Sequence, residues 1–159
     1  MNSKTTVSLA PPRFVDGRSQ LIFGLGERCA TNTGMAAQWD RFLPHFGQIP
    51  GQVGQVAYGV MCPTTDAEVW ECVCGVEVKE FPAHPAQFAR LTLPPKRYAV
   101  FEHRDHISSI GATWQAVWNE ALPAAGCRVT DEPFFERYGE SFDGRTGLGG
   151  VELWVPVNR

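Results

Sequence analysis

A nine-residue pattern occurs twice in this 159-residue chain and constrains its fold more than any other feature. It reads W-[DN]-x-x-L-P-x-x-G and covers residues 39–47 and 118–126, at an offset of 79. Two further matches lie at nearly the same offset: Tyr58-Gly59 with Tyr138-Gly139, and Glu71 with Glu152. Because self-similarity at a fixed spacing is typical of a duplicated structural unit, the chain is predicted to contain two copies of one motif.

Each copy reads as strand, helix, strand, strand. In the first copy the predicted elements are a strand at 20–26, a helix at about 35–46 and strands at 56–62 and 67–78. The polar run 31–34 is predicted to cap that helix. In the second copy they are a strand at 97–103, a helix at 110–122 and strands at 134–142 and 150–157. Both helices are predicted from apolar residues that recur on one face.

Two βαββ halves with short hairpins predict an α+β fold. We expect a mainly antiparallel sheet with pseudo-two-fold symmetry, both helices on one face, and a ligand groove between the halves. The whole chain, residues 1–159, is expected to form a single domain. Its repeats span about 15–80 and 94–158, and the connector at about 81–93 carries a short helix or an edge strand.

Composition excludes several classes of function. A net charge of −3 and a pI near 5.8 provide no basic surface for direct nucleic-acid binding. No apolar run approaches the roughly 20 residues that a membrane helix needs. The N-terminus lacks a signal-peptide core, so a cytoplasmic protein is expected.

The cysteines and histidines predict no metal site and no cofactor. Five cysteines are an odd number and include no C-x-x-C pair. Cys72 and Cys74 are interpreted as small buried side chains, whereas Cys29 is a candidate nucleophile without a visible base. His103 and His106 lack a third ligand at a suitable spacing.

The last strand predicts a ligand anchor. Val151, Leu153, Val155 and Val157 alternate with Glu152, Trp154 and Pro156, as in a strand with one buried face. A carboxylate beside an indole would attract a cation, with a cation–π contribution of roughly 0.5–2 kcal/mol. The alternatives for Glu152 are a solvated residue, an ion pair with Arg137, or a catalytic base.

Other candidates follow from the strand pattern and the repeat. Glu136 and Tyr138 share one face of their strand; Tyr138 is read as a groove wall or a core residue, and Glu136 as a site residue or a solvated one. The repeat adds Tyr58 and Glu71 as counterparts of Tyr138 and Glu152. On the second helix, Trp114 is the tryptophan we expect to reach the groove, although such stripes usually face the core.

Four segments of the second copy carry a family resemblance: 97–103, 113–118, 135–138 and 149–157. They resemble the GyrI-like effector-binding domains, which also form the C-terminal ligand sensor of many AraC-type and MerR-type transcription regulators. The resemblance covers about residues 15–158. It implies a groove between the halves that binds amphipathic, often cationic, organic molecules, with a glutamate on the last strand as counter-charge and aromatic walls. The matching residues are Glu152 and Trp154.

No helix-turn-helix segment precedes residue 15, so the chain resembles the stand-alone members of that family, such as integron cassette proteins and DNA gyrase inhibitory proteins. The first hypothesis is therefore a binding protein that captures cationic amphipathic compounds for regulation or sequestration, without chemistry. Its expected ligand-binding residues are Glu152, Trp154, Tyr138, Tyr58, Trp114, Glu136 and Glu71. The second is a hydrolase of strained cyclopropane-bearing alkylators, as the resemblance implies for some relatives. The third is an interaction protein for DNA gyrase or a transcription regulator in trans.

Overall fold

The computed structural model describes residues 9–30, 35–83 and 88–158, so the predicted cap at 31–34 lies outside the described residues. In these ranges nine strands are present: β1 Arg13–Asp16, β2 Gln20–Ala30, β3 Gln52–Pro63, β4 Val69–Val78, β5 Phe88–Leu93, β6 Arg97–His103, β7 Arg128–Val129, β8 Phe134–Tyr138 and β9 Val151–Asn158. Helix α1 spans Ala36–Phe42 and continues as a 3₁₀ turn, Leu43–His45. The second helical region begins as a 3₁₀ turn at Ile107–Ser109, continues through α2 Ile110–Ala116 and a π-helical stretch Val117–Ala121, and ends as α3 Leu122–Ala124.

The strand order shows the duplication directly. It runs β1-β6-β9-β8-β3-β4-β2-β5, with β7 added to β9, and every pair is antiparallel. The two halves meet where β8 pairs with β3, which we call the seam. Counted outward from the seam, the second half reads β8-β9-β6-β1 and the first half reads β3-β4-β2-β5, so equivalent strands follow in the same order. The predicted α+β fold with a mainly antiparallel sheet and two helical regions is therefore confirmed.

The edge strands are exchanged between the halves. β1 precedes the first copy in sequence but pairs with β6 of the second copy, where Val15 lies opposite Tyr98. β5 precedes the second copy but pairs with β2 of the first, where Leu91 lies opposite Ile22. Each half therefore receives its edge strand from the segment that precedes the other half in sequence. β1 was not predicted, because a four-residue strand in a proline-containing lead-in gives almost no alternation to detect.

One face of the sheet, the helix face, carries both helical regions. Under α1, Phe42 packs with Phe23, Cys74 and Val76. Under the second helical region, Val117 and Leu122 pack with strand residues that include Ala99, Phe101, Leu153 and Val155. The predicted inward alternation of β9 is observed, since Val151, Leu153, Val155 and Val157 are all buried.

The opposite face, the open face, contains a second core. Its buried cluster consists of Ile22, Tyr58, Val60, Val73, Leu93, Tyr98, Val100 and Phe135. These residues come from strands at both ends of the sheet order, so the sheet curls until this face packs against itself. Trp154 belongs to this packing and stacks on Phe135 with 5.3 Å between ring centroids.

The π-helical stretch explains a mismatch in the repeat. In α1 the buried residues Gln38 and Phe42 are four positions apart, whereas Val117 and Leu122 are five apart. A π-helical turn accommodates one extra residue. As a result Leu122 is buried while Leu43, its partner in the sequence pattern, is 55% exposed. The offset of 79 therefore holds only for the first part of the helices.

Two cysteines form a disulfide that the sequence did not predict. Cys29 of β2 is bonded to Cys72 of β4, 43 positions later. Cys72 is buried as interpreted, but it is bonded, and the reading of Cys29 as a candidate nucleophile is wrong because its sulfur is in this bond. Cys62, Cys74 and Cys127 are free. The pairing was missed because it depends on the β2–β4 register, which no spacing of cysteines reveals.

Because the edge strands are exchanged, we expect the two halves to unfold together. Phe42→Ala in the first half should lower the free energy of unfolding by about 3–5 kcal/mol, and Leu153→Ala in the second by about 2–5 kcal/mol, because both side chains are fully buried. Urea unfolding followed by tryptophan fluorescence and circular dichroism should show one shared transition in both variants. Two separate transitions would show that the halves are independent.

Reduction of the disulfide is expected to lower the free energy of unfolding by roughly 2–5 kcal/mol, because the bond closes a 43-residue loop of the unfolded chain. Thiol titration of the unfolded protein tests the bond itself. It should find three thiols without reductant and all five with it. Five thiols in protein that was never reduced would refute the pairing.

Candidate functional site

Glu136 lies at the centre of the seam and points to the helix face. In the strand register, Glu136 lies opposite Gly59 of β3 on one side and Leu153 of β9 on the other. The indole N–H of Trp114, from α2, donates to Glu136 Oε2 over 2.8 Å. The Tyr138 hydroxyl, two residues along β8, donates to Oε1 over 2.6 Å. The carboxylate is thus held from two elements at once.

A second tryptophan reaches the same place from the first helix. The Trp39 ring lies 5.2 Å from the Tyr138 ring in an edge-to-face arrangement. It also covers Gly59, because a Cβ placed on that glycine would be 3.2 Å from Trp39 Cζ2 and 3.5 Å from Glu136 Oε1. Each half therefore contributes one tryptophan, Trp39 or Trp114, to the surroundings of a single carboxylate.

A cavity of about 600 Å³ opens beside this group on the helix face. Trp39 and Tyr138 form its wall toward Glu136, and its charged lining residues are Asp40 and Glu140, both acidic. The remaining lining residues are mostly apolar or small: Ala36, Leu43, Phe46, Gln55, Ala57, Ile107, Gly139, Phe142 and Gly144. Such a volume accommodates a drug-sized organic molecule.

Glu136 differs from the other buried glutamates in the groups that surround its carboxyl group. Burial raises the pKa of Glu136, and the hydrogen bonds from Tyr138 and Trp114, with a smaller electrostatic contribution from His103, lower it only in part. In the described ranges, no lysine or arginine forms an ion pair with this carboxylate. Burial and the neighbouring carboxylate raise the pKa of Tyr138 well above its usual value, so the phenol stays a neutral donor. The site therefore combines a buried carboxyl group, whose ionisation is disfavoured by burial, with an aromatic surrounding.

Glu152 is in a different position, on the open face. Arg13 donates to its Oε2 over 2.8 Å, Arg137 lies 3.6 Å from its Oε1, and the indole of Trp154 donates to Oε1 over 3.0 Å. Burial alone would raise the pKa of Glu152, but Arg13, Trp154 and Arg137 together lower it. It lines a second cavity of about 610 Å³ with Glu102, Arg137 and Glu140, the last of which also lines the helix-face cavity. Its charge is thus already balanced by two arginines.

The structure does not bring the seven expected residues together. Glu136, Tyr138 and Trp114 meet on the helix face. Glu152, Trp154, Tyr58 and Glu71 lie on the open face. Tyr58 is 4% exposed and its hydroxyl accepts a hydrogen bond from Gln20, while Glu71 forms an exposed ion pair with Arg28. A two-fold axis through the sheet relates residues whose side chains lie on the same face. Tyr58 lies on the open face and Tyr138 on the helix face, so the sequence match at an offset of 80 does not join structurally equivalent residues of β3 and β8.

Three contributors to the site were not predicted: Trp39, Ala57 and Gly59. Trp39 belongs to the apolar stripe that predicts the first helix, and nothing in its spacing distinguishes it from a core residue. A signal for Gly59 did exist, because glycine in the middle of an apolar strand often marks a close approach by another group. Its neighbour Ala57, two residues earlier on the same face, lies opposite Tyr138.

The histidine pair is structural. The Thr113 hydroxyl lies 2.7 Å from His103 Nδ1, and the His106 carbonyl accepts from Nε2 over 2.9 Å, so both ring nitrogens are occupied. Among the residues that the structure describes, no three potential ligands are grouped to hold a metal ion. None of the helices in the same residues is both long and apolar enough to cross a bilayer.

Exchanging each glutamate for glutamine should change stability with opposite pH dependence. Folding raises the pKa of Glu136, so the free energy of unfolding of the wild type falls as pH rises from the unfolded-state to the folded-state pKa of this group. The stability of Glu136→Gln relative to wild type should therefore increase as pH rises. Because folding lowers the pKa of Glu152, its contribution is present above the unfolded pKa and lost below the folded one. The stability of Glu152→Gln relative to wild type should therefore decrease as pH rises. Urea denaturation from about pH 3 to pH 8 measures both; slopes of the same sign would contradict the assignment.

Comparison with known proteins agrees with this architecture. The transcriptional regulator BrlR of Pseudomonas aeruginosa is 30% identical over 121 residues, which cover 75% of this chain and 44% of BrlR. This chain thus corresponds to less than half the length of that relative.

Two solved structures share the fold. The structure of SAV2435 bound to tetraphenylphosphonium has a TM-score of 0.75 and 18% identity, with 94% of each chain covered. The integron cassette protein VCH_CASS2, from the mobile metagenome of Vibrio cholerae, has a TM-score of 0.67 and 15% identity, with 94% of this chain and 97% of that chain covered.

The family itself follows from the extent of the sequence match. Residues 10–158 match the family described as "GyrI-like small molecule binding domain". The match includes both copies of the duplicated motif, the seam between them and all the residues around Glu136. This chain belongs to the GyrI-like small-molecule-binding domain family.

Proposed function

We propose that this protein binds cationic amphipathic organic compounds in the helix-face cavity, with Glu136 as counter-charge and Trp39, Tyr138 and Trp114 as aromatic surroundings. The observation that carries the proposal is a buried carboxyl group behind the wall of an aromatic cavity, with which no lysine or arginine of the described residues forms an ion pair. Burying an uncompensated charge costs free energy, and a ligand cation would offset that cost. The same reasoning gives Glu152 the lesser role, because Arg13 and Arg137 already compensate it.

Tyr138 would transmit the charge to the ligand. Its hydroxyl donates to Glu136, which leaves the phenol oxygen and ring more electron-rich on the cavity side. A cation against the faces of Tyr138 and Trp39 would gain roughly 0.5–2 kcal/mol per ring. Asp40 and Glu140 at the cavity lining would favour the approach of positive charge.

The relatives support this ligand class and suggest its use. The structure of SAV2435 contains tetraphenylphosphonium, a lipophilic cation, and BrlR is a transcriptional regulator. On this proposal the chain reports the presence of a cationic compound to gene regulation or sequesters the compound, and it leaves the ligand chemically unchanged.

Titration with tetraphenylphosphonium tests the anchor. Glu136→Gln should weaken binding by at least about 30-fold, since removing one partner of a buried charge pair costs about 2–5 kcal/mol. Because the pKa of Glu136 is raised, wild-type affinity should increase with pH until the carboxylate is ionised, and this dependence should vanish in the variant.

Glu152→Gln is the matched control and should change the dissociation constant by less than about threefold, a difference under 1 kcal/mol. Calorimetry provides the affinities. A large loss in Glu152→Gln with little loss in Glu136→Gln would move the anchor to the open face. If a strained cyclopropane-bearing alkylator is recovered hydrolysed after incubation, the assignment of binding without chemistry fails.

A further inference from the structure

We propose that Ala57 and Gly59 of β3 set the depth of the helix-face cavity, so that this site is selective for bulky, three-dimensional cations over flat ones. The inference rests on the proposed function and adds the residues that decide ligand shape. It concerns the strand that supplies no charge to the site.

The seam is built asymmetrically on the helix face. β8 presents Glu136 and Tyr138 there, whereas the residues paired with them on β3 are Gly59 and Ala57. Two large side chains on β8 therefore lie opposite a glycine, which has no side chain, and an alanine, which has only a methyl group. This difference in height leaves room beside Tyr138, and Ala57, Trp39 and Tyr138 all line the cavity that results.

Backbone geometry does not require glycine at position 59. The glycines with positive φ in the described ranges are Gly47, Gly51, Gly54, Gly126, Gly147, Gly149 and Gly150, and Gly59 is not among them. Any residue could adopt its extended conformation. What would resist a side chain is contact, because an added Cβ would lie 3.2 Å from Trp39 Cζ2 and 3.5 Å from Glu136 Oε1.

Trp39 is the group that would give way. It is only partly buried and borders the cavity, whereas Glu136 is held by two hydrogen bonds. A methyl group at position 59 would thus displace the indole toward the cavity and reduce its depth. A larger side chain at position 57 would fill the cavity floor opposite Tyr138 directly.

Ligand shape decides the consequence. A tetrahedral cation such as tetraphenylphosphonium places rings in several planes and needs depth as well as width. A flat cation such as N-methylacridinium can stack on the Tyr138 and Trp39 wall and needs far less depth. Variants with a shallower cavity should therefore lose more affinity for the tetrahedral cation than for the flat one.

Calorimetric titration of both cations into wild type, Gly59→Ala and Ala57→Val tests the inference. Each variant should bind tetraphenylphosphonium at least about tenfold more weakly and N-methylacridinium within about threefold of wild type, with the tenfold loss corresponding to about 1.4 kcal/mol. Gly111→Ala is the matched control, because a Cβ at that exposed helical glycine meets nothing within 4 Å. It should leave both affinities unchanged.

The outcomes separate this inference from the proposed function. An equal loss for both cations, or no loss for either, in variants that keep the wild-type circular dichroism spectrum would overturn the role of β3 in shape selection. If Gly59→Ala does not fold, Ala57→Val decides the question. If wild type binds neither cation, or if Glu136→Gln retains full affinity, the proposed cation site fails and the shape selection fails with it.

Discussion

The antiparallel pairing of β3 with β8 is the interaction on which the rest of the structure depends. It joins the two halves into one sheet, and its register places Gly59 opposite Glu136. A shift of one residue would turn Glu136 and Tyr138 to the other face and remove them from both helices. The same pairing thus connects the halves, directs the carboxylate toward Trp114 and leaves room for Trp39.

The two central glutamates show how surroundings decide the role of a charged residue. Glu152 lies between arginines and serves as a connection within the open face. Glu136 receives hydrogen bonds from an indole and a phenol, and no lysine or arginine of the described part of the chain forms an ion pair with it. A carboxylate surrounded in this way is costly for the empty protein, and its presence next to a cavity is most simply explained by a ligand that compensates the charge.

Much of the fold could be predicted from the sequence, because the duplicated pattern and the alternation along β9 are local signals. The strand at Arg97–His103 was predicted with its observed bounds. The site was predicted less well. Alternation shows that Glu152 and Trp154 share a face, but not which face carries the helices or which arginines come from other strands. Arg13 lies on an unpredicted strand, and the extra residue of the π-helical stretch shifts the repeat offset. These facts depend on pairing between distant segments.

The exchanged edge strands also determine when the chain can complete its structure. β1 is made before its partner β6, which belongs to the second copy, so β1 stays unpaired until the intervening residues have been synthesised. An unpaired strand edge is a site for association with other chains. β1 has only four residues and includes Arg13 and Asp16 at its ends, features that make such association unfavourable. The shortness that hid β1 from sequence analysis is therefore expected to limit association of the nascent protein with other chains.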